Sequence, residues 1–583
     1  MAPEEGCTEE SLTTGEKPRV YGSIGSLEKE KQTLGAVADP AVGVGIPVVC
    51  WFILVVELCE RLSFYTFTGS QAFFLEHLGF SLASAGGLNA TMWTFCTVLA
   101  VVASWAADVA LGRYATILAA GGVYFAGTGV ASIAAWPGVN SAALYLMGVM
   151  VLLPLGTAGI KANISNFGAD QYDTSDPASA RAQERFFSIF YLSINVGAGV
   201  SFGFFTTFAS NGGLGVPKSH GYFAAYALMT LCMGLAVCIF RAGRSSYKVH
   251  PLQDSSALAS VARSLLLASR AGCWRATVVY GGAWLLLATV ALSTLQACAP
   301  HLGNSMMAAA FCSAGLGTLA IVLPCLRPSW LGAWREEGPE PWELEVQGFL
   351  RVLPVLFTGN LAFGALYNCM QFWYQLQACQ MDVRIGAGGF QLSGSFFNIA
   401  DCLAIVIFTP VLVDWLNPII EQAMGLQLRH GLKFAFGMLV AIVSVIVAAR
   451  LEQMRRGAAV LPAVSNCAPA GISMSDVRAS WMMVPFFLMG IGEIYCQPTL
   501  LHFAYSKSPA TMRTLATATS FFISGISSAI FAVVVAALSP IIPNDLSTGH
   551  LEYGYFVNIS MAVVFYLFFV LVLSFAPGDA AQS

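Results

Sequence analysis

From Ile46 onward the chain repeats one device, an apolar segment of about 20 residues followed by a short polar gap, and that length is what bilayer hydrocarbon demands of a helix. The segments lie at 46–68, 88–110, 115–136, 142–165, 186–209, 221–240, 276–297, 305–326, 350–377, 396–416, 432–450, 482–504, 516–541 and 553–575. Composition agrees: 10% of the residues are charged, against roughly 25% in soluble domains, so the chain reads as an all-α integral membrane protein. The same numbers exclude a soluble enzyme. A net charge of −4 without a basic footprint excludes a nucleic-acid reader, and 15 cysteines scattered through apolar stretches exclude a secreted disulfide scaffold. No CxxC or HExxH spacing occurs, so no metal site is expected.

The segments divide the chain. Residues 1–45 are polar and charged, without a signal-peptide core, and read as a cytosolic tail. A six-helix bundle is expected over 46–240, a linker over 241–349, a second six-helix bundle over 350–575 and a cytosolic tail over 576–583. Within the linker, Ala276 to Ala297 and Ser305 to Leu326 form an extra helix pair that either spans twice or lies partly in the interface, giving 12 to 14 transmembrane helices. Ser255 or Ser256 can cap a stretch in which Leu258, Val261 and Leu265 share a face flanked by Arg263 and Arg270; an interfacial helix and a solvated linker both fit. With the N-terminus inside, about twenty Lys and Arg fall on the cytoplasmic side. Six fall outside: Lys218, Arg384, Arg450, Arg455, Arg456 and Arg478. The C-terminus then returns to the cytoplasm.

Charges inside a span cost about 2.5 to 3.5 kcal/mol each on insertion scales and so mark function. The first half carries Glu57, Glu60, Arg61 and Lys161. Glu57 and Arg61 are at i and i+4 and can pair along one face, whereas Glu60 is rotated about 100° from Arg61 and is expected to need another partner. Lys161 supplies the base that brings the set to zero charge, so protonating one acid leaves a net positive site. The alternative is a static ion-pair network that only holds helices together. The second half carries Asp401 and Glu493 with no base inside its spans, an arrangement that suits a zwitterion held with its ammonium toward Glu493. Polar lining is available from Tyr65, Thr68, Asn163, Asn195, Asn368, Gln371, Gln375, Asn398 and Gln497. For any single amide a helix-to-helix hydrogen bond is the competing role. The seven histidines lie mostly in loops or at helix ends, and Gly156 to Lys161 reads GxxGxK rather than a phosphate loop, so neither an enzyme nor ATP drive finds a motif.

The run Glu57-Leu-Cys-Glu60-Arg61-Leu-Ser-Phe64-Tyr65 resembles the ExxER motif of the proton-dependent oligopeptide transporter (POT/PTR) family of the major facilitator superfamily. Asp108-Val-Ala-Leu-Gly112-Arg113-Tyr114 is similar to the superfamily's loop signature between helices two and three. Further matches are Gly156 to Asn163 with Phe167 to Asp173, Phe186 to Gly197, Gly490 to Ile494, Phe503 to Arg513 and Gly549 to Tyr553. The resemblance implies two six-helix halves that rock around a central cavity, with proton influx driving uptake of di- and tripeptides and no cofactor besides the proton. It implies proton coupling by Glu57, Glu60, Arg61 and Lys161, and peptide contact by Tyr65, Asn195, Asn398 and Glu493. Tyr191, Thr68, Asn368, Gln371 and Asp401 are further lining candidates. Asp108, Gly112 and Arg113 are assigned to the cytoplasmic hinge. The expected partners are a small-molecule substrate and the lipid bilayer, with no nucleic acid; nothing sets an oligomeric state. A plasma-membrane location leads, with an endomembrane as the alternative.

The chain departs from the family pattern in places. Phe64 replaces a tyrosine common in peptide carriers, Thr68 stands where many have arginine, and no acid lies near Cys369, where bacterial peptide carriers place a glutamate; Asp401 is the candidate to take over that charge. Two alternatives therefore stand beside the peptide symporter. One is a proton-coupled carrier of nitrate, amino acids or other small organic anions, resembling the plant-like branch, although Tyr367 lies near where its nitrate-transporting relative has histidine. The other is a non-transporting receptor or scaffold, for which four buried ionisable groups have no use.

Overall fold

The computed structural model describes residues 46–173, 176–249, 252, 256–298, 304–333, 338–386, 389–425 and 429–575. The expected tails 1–45 and 576–583, and Ser255, lie outside them. Thirteen helices among the described residues are long and apolar enough to cross a membrane. Val48–His77, too charged to be counted with those, completes fourteen. In chain order they are α1 Val48–His77, α2 Leu82–Ala110, α3 Arg113–Ala134, α4 Ala142–Ala169, α5 Arg185–Asn211, α6 Lys218–Ser246 and α7 Trp274–Cys298. There follow α8 Ser305–Cys325, α9 Pro341–Cys379, α10 Gly394–Ala423, α11 His430–Gly457, α12 Ala479–Lys507, α13 Arg513–Leu538 and α14 Leu551–Ser574.

Polar residues at the segment boundaries start these helices by occupying backbone N–H groups that have no partner within the helix. Ser81 Oγ accepts from Ser84 N at 3.1 Å at the head of α2, and Ser141 Oγ from Leu144 N at 3.4 Å at the head of α4. At α9, Pro341 sits in the first turn and Glu340 and Glu343 cap one another reciprocally. Ser256 caps Ala257–Arg270, accepting from Ala259 N at 3.0 Å, so the stretch that sequence left open between helix and linker is a helix. Its buried face is Val261, Ser264, Leu265 and Ala268; Leu258, expected on that face, is exposed.

The α1–α6 group packs through α1 with α5 and α6, and α3 with α4 and α6. The α9–α14 group packs through α9 with α13 and α14, and α11 with α12. The groups meet along α2 and α13 and along α5 and α10, and the extra pair α7–α8 packs on α2, α9 and α13. In α9, 89% of the most apolar stretch is buried, whereas in α14 the share is 22%, so α9 is a central helix and α14 turns most of its apolar surface toward lipid.

Helix α1 runs nine residues beyond its expected end at 68, carrying Glu76 and His77 with it. On the face where α1 ends, two antiparallel hairpins (β1 Arg384–Ile385 with β2 Phe390–Gln391, β3 Val460–Val464 with β4 Ser473–Ser475) cover the helix ends. A Cys379–Cys467 disulfide joins the end of α9 to the α11–α12 loop. Hydrogen bonds close the two groups against each other on this face. Ser395 Oγ donates to Gly69 O at 2.5 Å, Ser393 N to Thr207 Oγ1 at 3.1 Å, Asn466 Nδ2 to Asn211 Oδ1 at 2.7 Å and Leu82 N to Asn544 Oδ1 at 2.8 Å.

Candidate functional site

Helix α1 delivers the first part of the site. Arg61 Nε lies 3.2 Å from Glu57 Oε1, the i,i+4 pair expected from spacing. The guanidinium also pairs closely with Glu60 Oε2, so Glu60 does not need a partner on another helix: Arg61 is long enough to fold across to its chain neighbour. From α4, Thr157 Oγ1 donates to Glu60 Oε1 at 3.4 Å. All three charged residues are buried. Helix α5 approaches this cluster at Gly197, where a Cβ would come within 2.9 Å of Arg61 Cβ and 3.1 Å of Leu62 N, so a larger side chain would push the helices apart.

Lys161 does not pair with a helix-one carboxylate as expected. Among the described residues it makes no ion pair; its Nζ faces Trp93 of α2 at 5.9 Å and Phe521 of α13 at 5.2 Å from the ring centres. The four charges therefore divide into a triad of net charge −1 and a separate cation held by aromatic faces, one of them in the other helix group. Protonating Glu57 or Glu60 makes the triad neutral and removes the negative field that Lys161 feels.

A cavity of about 50 Å³ lies between the two groups. Tyr65 from α1, Tyr191 and Asn195 from α5, Tyr367 and Gln371 from α9, Asn398 and Asp401 from α10 and Glu493 from α12 line it. All four residues expected to touch substrate, Tyr65, Asn195, Asn398 and Glu493, thus converge, together with Tyr191, Gln371 and Asp401. Thr68 and Asn368 do not: Thr68 Oγ1 turns to Tyr65 O at 3.5 Å, and Asn368 bonds Ser527 and Ser528 across to α13 at 3.3 and 3.2 Å. Gln375 likewise is engaged, accepting from Ser395 Oγ at 2.5 Å. In contrast, Asp401 Oδ1, Asn398 Oδ1 and Glu493 Oε2 are buried acceptors without a hydrogen-bond donor. Unpaired acceptors at a cavity wall await a ligand's donors.

The hinge candidates form a separate cluster where α2 ends and α3 begins. Arg113 Nη1 meets Asp170 Oδ2 at 2.5 Å and Nη2 lies 3.8 Å from Asp108 Oδ1, tying α2, α3 and the end of α4 together. Gly112 turns the chain at φ 80°, a conformation that favours glycine.

Sequence reasoning missed three features. Arg455 and Glu452 pair at 2.8 Å with both side chains fully buried in α11, which corrects the expectation that the second half holds no base inside its spans. Ending that span at 450 hid an i,i+3 pair that a helix through Gly457 makes plain. Glu76 is buried with both carboxylate oxygens lacking a hydrogen-bond partner, hidden in the same way by the early end assigned to α1. The disulfide has no spacing signature, since 88 residues separate its cysteines.

Fourteen long helices, thirteen of them apolar enough to cross a membrane, form two six-helix groups and an intervening pair around a polar cavity, a multi-pass membrane architecture of the major facilitator fold. The POT family model (PTR2) matches residues 114–325 and 341–546, and the chain belongs to that family of transporters. It is 26% identical over 545 residues to Protein NRT1/PTR FAMILY 8.3 of Arabidopsis thaliana, covering 88% of this chain and 89% of that one. It is also 26% identical over 565 residues to Solute carrier family 15 member 3 of Rattus norvegicus, covering 88% and 87%. The fold is that of an auto-inhibited POT family peptide transporter (TM-score 0.70, 20% identity, 91% of this chain and 97% of that one). It is equally that of the POT family transporter PepTSo (TM-score 0.69, 22% identity, 92% and 99%).

Proposed function

We propose that this transporter is a proton-coupled symporter of di- and tripeptides that works by alternating access, its halves 46–240 and 350–575 rocking around the cavity while 241–349 links them. The observation that carries this reading is the distribution of unmatched charge. Glu493 and Asp401 face the cavity from the second half with no cation among its described lining residues, and in the first half Lys161 stands outside the Glu57–Arg61–Glu60 triad, on aromatic faces. A free ammonium meets the acids and a carboxylate is drawn toward Lys161, which is the charge pattern of a short peptide. The solved relatives include peptide transporters, which supports the same class.

Glu57, Glu60, Arg61 and Lys161 carry the proton coupling in this account, and Tyr65, Asn195, Asn398 and Glu493 contact the peptide. The proton is the only coupling species; no cofactor takes part. A void of about 50 Å³ holds water but not a dipeptide, and ligand pockets usually run to about 300 Å³ or more, so substrate enters a more open conformation than this one. Both termini face the cytoplasm, and the disulfide then lies on the non-cytoplasmic face, where an oxidising environment preserves such bonds. The plasma membrane is the proposed residence, with an endomembrane as the alternative.

A second reading is a carrier of nitrate, amino acids or other organic anions. Thr68 in place of a base and the absence of an acid on α9 near Cys369 favour it, as does similarity to an NRT1/PTR protein. Radiotracer uptake of dipeptide, histidine and nitrate at mildly acidic and mildly alkaline outside pH separates the two. Acid-stimulated dipeptide uptake supports the peptide reading; nitrate or histidine uptake without dipeptide uptake replaces it.

A further inference from the structure

Away from the central cavity, the inserted pair α7–α8 holds a groove of about 630 Å³ at the face where α1 begins. Its walls are apolar, with Trp274, Leu316, Leu319 and Leu323 largely exposed. Its rim carries two guanidinium groups, Arg275 from the first turn of α7 and Arg327 just past the end of α8. Among the described residues no carboxylate lines it and neither arginine makes an ion pair; Arg275 rests on the Trp274 ring at 5.5 Å. The helices cross tightly where Gly282 and Gly317 meet, since a Cβ on Gly282 would come within 2.9 Å of Ala320. Beyond that crossing Pro324 interrupts the last turn of α8. The helix Ala257–Arg270, with an apolar face buried and Arg263 and Arg270 exposed, leads directly into Trp274. An amphipathic helix, a tryptophan and two arginines at one level mark the depth of the lipid headgroups.

We propose that this groove is a binding site for one anionic phospholipid, its phosphate held between Arg275 and Arg327 and its acyl chains laid along the leucines of α8. Two guanidinium cations with no carboxylate among the groove's described lining residues discriminate against the ammonium of a zwitterionic headgroup, and guanidinium groups match phosphate geometry. The bound lipid bridges α7 to α8 beyond the Gly282–Gly317 crossing. This inference is independent of the transported substrate.

The test is native mass spectrometry and thermal unfolding of the full chain in detergent, titrated with phosphatidylglycerol or phosphatidylcholine. The wild type is expected to retain phosphatidylglycerol and to gain thermal stability from it, but not from phosphatidylcholine. The double variant Arg275→Gln/Arg327→Gln is expected to bind phosphatidylglycerol on the order of 30-fold more weakly, at about a factor of five per arginine near the surface. Leu319→Trp, which fills the groove and keeps both arginines, is expected to lose binding as well. A control that removes two bases from the other face, Lys218→Gln/Arg450→Gln, is expected to bind like the wild type. Equal response of the wild type to both lipids overturns the proposal, as does an equal loss in the control or full binding by the groove-filled variant.

Discussion

Arg61 holds two carboxylates on one guanidinium, so the proton-coupling account turns on whether Glu60 can be neutralised while Arg61 stays in place. Glu60→Gln is expected to abolish accumulation of substrate against a gradient while leaving exchange down a gradient, because a permanently neutral side chain cannot alternate between pairing with Arg61 and releasing it. Accumulation by that variant would move the coupling site elsewhere. Glu493 faces the cavity with one oxygen unpaired. Glu493→Gln is therefore expected to weaken a free-amine dipeptide by about 1.5 to 3 kcal/mol, the value of a hydrogen bond to a charged group, and its N-acetylated analogue much less. Competition uptake reads both, and an equal loss would assign Glu493 no role toward the amine. At this scale the sequence showed which residues are costly to bury but not whom they touch. The Glu57–Arg61 pair follows from helical spacing. The second bond of Arg61 and the aromatic seat of Lys161 depend on side-chain reach and on α2 and α13, which no local pattern contains.

Helices were legible because their signal is length and hydropathy, and every expected span, including the extra pair, corresponds to a helix. Their ends were not, since a buried ion pair masks apolar character just where the window runs out, as in α11. Glu452 and Arg455 are both fully buried there, so Glu452→Gln is expected to destabilise by about 3 to 5 kcal/mol by leaving Arg455 unpaired. Glu452→Gln/Arg455→Met should recover much of that loss in thermal unfolding; additive losses would mean the two act separately. The neighbouring contact of α11 with α12 sets the position of Glu493. A Cβ at Gly437 would meet Gly492 O at 2.8 Å and Cys496 Sγ at 2.6 Å. Gly437→Ala is expected to cost about 1 to 3 kcal/mol from overpacking, seen as a lower unfolding midpoint, and an unchanged midpoint would show that the helices can part freely there.

At the scale of the whole molecule, the two helix groups are closed against each other by hydrogen bonds on the face that also carries the hairpins and the disulfide. Charge counting assigned that face to the outside, and Leu214, 88% exposed in the α5–α6 loop, offers a check. Leu214→Cys in intact cells should take up a membrane-impermeant thiol reagent above the parent's background, and labelling confined to inside-out vesicles would reverse the orientation. The closure itself could not be read from sequence, because it joins residues as distant as Gly69 and Ser395, on helices that no local pattern relates to one another. In the proposed cycle, proton influx drives a peptide through this cavity. Accumulation of a neutral dipeptide in proteoliposomes holding the purified protein, under an imposed inward proton gradient, measures this coupling. The account predicts uptake above equilibrium that a protonophore collapses; equal uptake with and without the protonophore would contradict it.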